Sequence, residues 1–303
     1  MQPVILFLKS IFSDTKDYNL TLLDNATFEY LLSAGLGPLL NHYTEKTSSY
    51  VKSPYRNTLK SSKFTSQVLI GNHIETLLDI IKTDREVTRN IVLLKGISTA
   101  TRLYPEPYMR IMGDVDIFIN EANLKQLKLN CIELGYIQKS AEELPHSFYE
   151  KIHHDMPFYN PENGVCVEIH HLLFPPSSAI SSDDIFSSEN IQKHSHDGIF
   201  NNEKIKYLEV EYELAYICAH LVVEHNWHKG LIRLVDMLYL LYYSNDGFSW
   251  NKLIDCIRKS PLSAAYLYLV LSFFKKYNLV NIPVNVLSDL YRSQSRFNKL
   301  NVY

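Results

Sequence analysis

Gly113-Asp114-Val115-Asp116-Ile117-Phe118-Ile119 closes the stretch IVLLKGISTATRLYPEPYMRIMGDVDIFIN, residues 91–120, and its reading decides the fold. The seven residues alternate as a β-strand does. Asp114 and Asp116 therefore share one face, while Val115, Ile117 and Ile119 fill the other. Two carboxylates on neighbouring same-side positions repel each other and lose hydration unless a hard divalent cation binds between them. A metal site is the economical reading of the pair.

A third acid comes from further along the chain. Asn160-Pro161-Glu162-Asn163-Gly164 is a turn, and its flanks HDMPFY and VCVEIHHLL read as the two arms of a hairpin. In the second arm Val165, Val167 and Ile169 share one face, and Cys166, Glu168 and His170 the other. If that arm lies beside the Asp114 strand, Glu168 joins the aspartates. Two aspartates and one further acid make a clamp for two magnesium ions about 3.5–4 Å apart, one activating the attacking oxygen and one the leaving phosphate. His170 would orient a metal-bound water, touch substrate, or hydrogen-bond the acids.

Upstream, Ile91-Val92-Leu93-Leu94 is a short apolar strand that runs through Lys95-Gly96 into one or two helical turns over residues 97–104. A strand, a glycine and a helix start offer backbone N–H groups to phosphate oxygens, and Lys95 adds a positive charge there. Arg110, four residues before Asp114, would compensate the carboxylates or contact phosphate.

The order Lys95-Gly96, Tyr104-Pro105-x-Pro107, Arg110-x-x-x-Asp114-x-Asp116, Glu168-x-His170 resembles the uncharacterised bacterial nucleotidyltransferases of the DNA-polymerase-β-like nucleotidyltransferase superfamily. The likeness is strongest over residues 91–173 and extends weakly to Gly35-Leu36-Gly37-Pro38-Leu39-Leu40 and residues 220–236. It implies that Gly96 stands at the phosphate-loop glycine, Asp114 and Asp116 at the metal aspartates, and Glu168 at the third carboxylate. One departure stands out. The superfamily follows the glycine with Ser or Gly, whereas Ile97 follows here, so the hydroxyl grip on a triphosphate is missing or passes to Ser98. The glycine-to-aspartate gap is also longer than in the compact members.

From these motifs we expect an α+β fold, with a small mixed-sheet nucleotidyltransferase core flanked by N-terminal helices and a C-terminal all-helical domain. Residues 1–90 read as an N-terminal helical segment, 91–176 as the α/β core, 177–202 as a linker or mobile loop, and 203–303 as the helical domain. Within the core, a helix over residues 124–134 closes at Gly135, with a short strand at Tyr136-Ile137 behind it. Residues 211–243 read as two buried helices broken at 226–230, and 262–277 and 284–291 as two more.

Other clusters have plainer readings. Lys46, Lys52, Arg56, Lys60 and Lys63 fall in a stretch without an acid and read as a solvated helix face or loop, the alternative being a basic wall near an anionic substrate. His220, Glu224, His225 and His228 lack the metalloprotease order, and His220 and Glu224 read as mutually satisfied polar groups or a pocket wall. Arg233 and Asp236 read as an ion-paired helix pair, with contact of Arg233 to phosphate as the alternative. His153 and His154 precede the hairpin without an assigned partner.

A net charge of −3 gives no electrostatic case for a dedicated nucleic-acid binder. No apolar run approaches the roughly 18 residues that span a bilayer, so no membrane partner is expected. Four scattered cysteines and an N-terminus without a signal-peptide pattern fit a cytoplasmic protein. The expected activity is transfer of a nucleoside monophosphate from an NTP, ATP among them, to a hydroxyl-type acceptor on a small molecule or protein, with Mg2+ or Mn2+ and release of pyrophosphate. A non-catalytic or antitoxin-like module that binds nucleotide or a partner protein is the alternative. A nucleotide-sugar glycosyltransferase ranks last, because it needs a long doubly wound sheet ahead of the aspartates.

Overall fold

The computed structural model describes residues 2–12, 23–47, 53–139, 152–224, 230–243 and 247–298. Seven strands form one mixed sheet: β1 Val92–Leu93, β2 Asp114–Phe118, β3 Ile137–Gln138, β4 Phe158–Tyr159, β5 Cys166–His170, β6 Ser195–Phe200 and β7 Glu203–Leu208. Their order across the sheet is β3-β4-β5-β2-β1-β7-β6. Strand β2 sits near the middle, antiparallel to β1 and parallel to β5, while β4 and β5 form the expected hairpin with Phe158 opposite Val167.

The alternation read from the sequence sets the two faces of this sheet. Val115, Ile117, Val167 and Ile169 are each at most 1% exposed and join Leu93 in one core. Full burial of such a side chain contributes about 1.5–3 kcal/mol, so a one-residue slip that turned all of them outward is strongly disfavoured. The opposite face carries Asp114, Asp116, Glu168 and His170, with Phe118, Val92 and Leu94 joining a second core.

Helices cover both faces. Ahead of the sheet run α1 Gln2–Phe12, α2 Asn25–Ser33, α3 Gly37–Thr47, α4 Ser53–Thr83 and α5 Arg85–Thr88. Helix α4 has 31 residues, about 45 Å at 1.5 Å per residue; its second half, with Ile70, Leu77, Ile80 and Ile81, enters the first core, while Leu59 of its first half joins the second. Its first half leaves Phe64, Val68 and Leu69 exposed and carries Arg56, Lys60 and Lys63 on a helix rather than a loop, with Lys63 bonded to Glu45. Lys52 lies outside the described residues.

Within the core, α6 Lys95–Arg102 follows β1, and α7 Glu121–Glu133 follows β2. Helix α7 ends as expected at Gly135, whose φ of +80° is open to glycine, and Tyr136 N–H closes onto Cys131 O at 3.0 Å.

Residues 177–202, expected as a linker or mobile loop, carry secondary structure. They form short 3-10 turns at Ala179–Ser182 and Asp184–Phe186, helix α8 Ser188–Lys193 and strand β6. Ile180, Ile185, Phe186 and Ile191 are buried in the second core. A few well-spaced apolar residues suffice to hold a polar segment down, and β6 is an edge strand, where alternation is weak. The helical layer begins after β7 with α9 Val210–Glu224, α10 Leu231–Tyr243, α11 Trp250–Ile257, α12 Pro261–Lys276 and α13 Val284–Asn298. The doubly wound sheet that a nucleotide-sugar enzyme requires is absent among the described residues, since helices precede β1. None of the helices among the described residues is long and apolar enough to cross a membrane.

Candidate active site

The parallel pairing of β2 with β5 sets Asp116 beside Glu168, Asp114 beside Cys166, and Phe118 beside His170. Neighbouring residues of paired strands share a face, so three acids and an imidazole converge on one patch. One ligand atom from each of Asp116, Glu168 and His170 falls within 4.8 Å of the others. Asp114 lies one same-face position away, outside that tight group.

Asp116 is the hub. It is 4% exposed, and Lys95 Nζ and His170 Nε2–H each donate to its Oδ1 at 2.8 Å. His170 Nε2 also stands 3.6 Å from Glu168 Oε2, whereas His170 Nδ1 is buried and bonded to nothing among the described residues. That asymmetry assigns the proton to Nε2.

The charges follow this geometry. Burial pushes the Asp116 carboxyl up, but the Lys95 charge and the His170 hydrogen bond hold it well below the usual carboxylate range. Asp114 moves the other way. The Asp116 charge, burial and the Glu168 charge push it up to about 7, against Lys95 and His170. For His170, burial and Lys95 oppose protonation, yet its bonds to Asp116 and Glu168 raise its pKa overall. The patch thus holds more negative charge than its own cations balance, and Asp114 relieves the excess by keeping a proton. A divalent cation would relieve it too, and carboxylate oxygens are the donors Mg2+ and Mn2+ favour.

The turn that delivers Lys95 is strained. Its φ is +49°, in the left-handed region that non-glycine residues avoid at a cost of about 1–3 kcal/mol. Leu94 N–H bonds to Asp116 O at 3.1 Å, which ties the turn to the middle of β2 and directs the ammonium at the Asp116 carboxylate. Gly96 is favoured by close approach: a Cβ there would sit a tight 3.1 Å from Met112 Cβ and 3.4 Å from Arg110 Nη1.

Ser98 and Arg110 face another way. Ser98 is fully buried and its hydroxyl donates to Glu213 Oε1 at 2.7 Å. Glu213 also pairs with Arg102, whose guanidinium lies over the Tyr207 ring at 4.7 Å. Arg110 grips Asp236 through Nε at 3.0 and 3.1 Å and Nη2 at 2.9 Å, and Tyr104 O–H donates to the same carboxylate at 2.8 Å. These bonds lash α6 and the segment leading into β2 to α9 and α10. They also correct the Arg233–Asp236 expectation. Asp236 belongs to Arg110, and Arg233 Nε donates to His220 Nδ1 at 3.4 Å. The side chain of Glu224, and His225 and His228 entirely, lie outside the described residues.

His153 and His154 were left without a role by the sequence. Their rings lie 5.2 and 5.5 Å from the His170 ring, His154 bridges His170 in antiparallel fashion, and His171 N–H donates to His153 O. The usable signal was the pair of His-His doublets on opposite arms of one hairpin, which antiparallel pairing brings face to face.

With this geometry in view, comparison with other proteins is informative at one level. Among solved structures, a crystal structure of an antigenic nucleotidyltransferase-like protein from Paracoccidioides brasiliensis is similar over 73% of this chain and 93% of that one, at 15% identity and a TM-score of 0.44. A likeness of that size decides nothing about the site. No curated protein matches the sequence. A family profile described as uncharacterised nucleotidyltransferase matches residues 26–275, which takes in the helices before the sheet from α2 on, every acid of the patch and most of the helical layer. Nucleotidyl transfer, with a nucleotide as substrate, is the chemistry that this match supports. The chain belongs to that family of uncharacterised nucleotidyltransferases.

Proposed function

We propose that the protein is a magnesium-dependent nucleotidyltransferase that moves a nucleoside monophosphate from an NTP, ATP among them, to a hydroxyl-type acceptor and releases pyrophosphate. The observation that carries the reading is the pairing of Asp116 with Glu168 across β2 and β5, with Asp114 on the same face. Asp114, Asp116 and Glu168 would hold Mg2+, two ions by analogy with the superfamily, or Mn2+ in its place. Bound there, the metal supplies charge neutralisation for the triphosphate and lowers the pKa of the acceptor oxygen.

The chain's own residues do the positioning. Glu168, with 21% of its side chain exposed, faces the acceptor and takes its proton as the acceptor oxygen bonds to the α-phosphorus and the bond to pyrophosphate breaks. Lys95 and the backbone amides after Gly96 cradle the outer phosphates. His170 keeps Asp116 in place. Ser98 and Arg110 work at one remove, by fixing α6 and the lead into β2 through Glu213 and Asp236. The helices after β7 form the acceptor wall. Positioning and charge neutralisation carry the rate, because phosphoryl chemistry asks for little covalent help. Four cysteines without disulfides fit action in the cytoplasm.

The test is incubation with Mg2+, each labelled NTP and cell extract, comparing the parent with Asp116→Ala. Label transfer with pyrophosphate release should fall on the order of 10²–10³-fold or more in the variant. If no NTP is bound or turned over, and the variant matches the parent, the reading is wrong. A non-catalytic module of the same fold is the second reading. It is favoured by Ile97 at the loop and by Ser98 turned to Glu213, and it would show as nucleotide binding with no pyrophosphate release.

A further inference from the structure

The cations around the two carboxylate systems are matched to acids one by one, and one is left over. Lys95 bonds Asp116, Arg102 bonds Glu213, and Arg110 bonds Asp236. Arg233, in the first turn of α10, has no carboxylate bonded to its guanidinium among the described residues, and its Nε donates to His220 Nδ1 at a long 3.4 Å. The residue is half-buried between the buried Ile232 and Leu234. Burial and then the like charge of Arg110 work against its charged form, and the acids that favour it are Asp236, Asp116 and Asp114. A guanidinium cannot escape this by losing its proton, so a partly desolvated one with no carboxylate bonded to it among the described residues suits an anion.

Its place in the fold says which anion. The start of α10 borders the lead into β2: Ile232 Cδ1 lies 3.3 Å and Ile111 Cβ 3.9 Å from where a Cβ on Gly35 would be. That lead is also what Gly96 packs against, through Met112 and Arg110. The phosphate loop itself offers no hydroxyl, because Ile97 is buried and the Ser98 hydroxyl is taken by Glu213. A planar fork of donors matches phosphate oxygens two at a time, which an ammonium does not.

We propose that Arg233 binds the polyphosphate tail of the nucleoside triphosphate, so that the helical layer supplies the grip missing from the loop after Gly96. This assignment rests on the nucleotidyltransferase reading for its ligand.

The experiment is calorimetric titration of the full chain with three probes: a non-hydrolysable NTP with Mg2+, the matching NMP, and inorganic triphosphate. The parent is compared with Arg233→Met and Arg233→Lys, each checked by thermal melting. Arg233→Met should weaken both triphosphates about ten- to a hundredfold and leave NMP binding unchanged. Arg233→Lys, which keeps the charge without the fork, should fall between and serves alone if the Met variant does not fold. Equal triphosphate affinity in parent and variants overturns the assignment and leaves the nucleotidyltransferase reading intact. Arg233-dependent binding of inorganic triphosphate without any binding of nucleotide keeps the anion site and overturns the nucleotide reading. A parent that binds none of the three probes sinks both.

Discussion

Two groups of carboxylates are bonded to residues of α6, Asp116 through Lys95 and the Glu213–Asp236 pair through Ser98, Thr99 and Arg102, and they are built to opposite rules. Asp236 accepts from both nitrogens of the Arg110 fork and from Tyr104, and Glu213 accepts from Ser98 and Arg102. Each acid there has a guanidinium of its own and a hydroxyl besides. On the β2–β5 patch, three acids share Lys95 and His170, and Asp114 is left to carry a proton near neutral pH. The saturated group joins layers of the fold. The undersaturated one is where, on the proposed reading, a cation from outside would complete the balance. Counting partners separates the two groups better than burial does, since Asp116 and Asp236 are both almost fully buried.

This contrast can be broken most directly at Asp236. Replacing it with alanine strands the Arg110 guanidinium in the interior, which should cost about 3–5 kcal/mol in denaturant-induced unfolding. A loss no larger than that of a surface substitution would mean the junction is not the tie described. Ser98→Ala removes one bond to Glu213 and should cost about 1.5–3 kcal/mol while leaving the KM for NTP unchanged. A raised KM at unchanged stability would move Ser98 back to the phosphates.

The smallest effect sharpens the other side. The folded-state pKa of Asp114 is raised from 3.8 to about 7, so between those values the folded protein keeps a proton that the unfolded chain has released. With metal chelated, stability therefore falls as pH rises from 3.8 to about 7 and stays lower above it. Asp114→Asn removes that fall. Unfolding titrations at acid, neutral and alkaline pH should show the variant more stable than the parent by about 1 kcal/mol at the alkaline end after screening, and level with it at the acid end. Mg2+ should restore the parent at alkaline pH and do less for the variant. Parallel pH profiles would show that no excess charge is stored there.

Much of the patch was legible before any coordinates, because alternation along β2 and β5 is local. Once Val115, Ile117, Val167 and Ile169 are recognised as core, the acids have to share the other face. The partners of Ser98 and Arg110 were not legible, since Glu213 and Asp236 lie 115 and 126 residues further on. The three-residue spacing of Arg233 and Asp236 suggested a local pair, yet the Arg110 fork offered Asp236 better geometry from outside the helix. In residues 177–202 the burial of Ile180, Ile185, Phe186 and Ile191 was not legible, because polar content says little about whether a few apolar residues find a core.

The sequence by itself determined the class of the fold, the two faces of the central strands and the identity of the acids, since each of these follows from side-chain period and chemistry within a dozen residues. Only the tertiary structure decided that β5 lies parallel to β2 with Glu168 abreast of Asp116, and which cation answers which carboxylate. Those are contests among groups distant along the chain. They are settled by packing and by the cost of burying a charge alone, and no local pattern records the outcome.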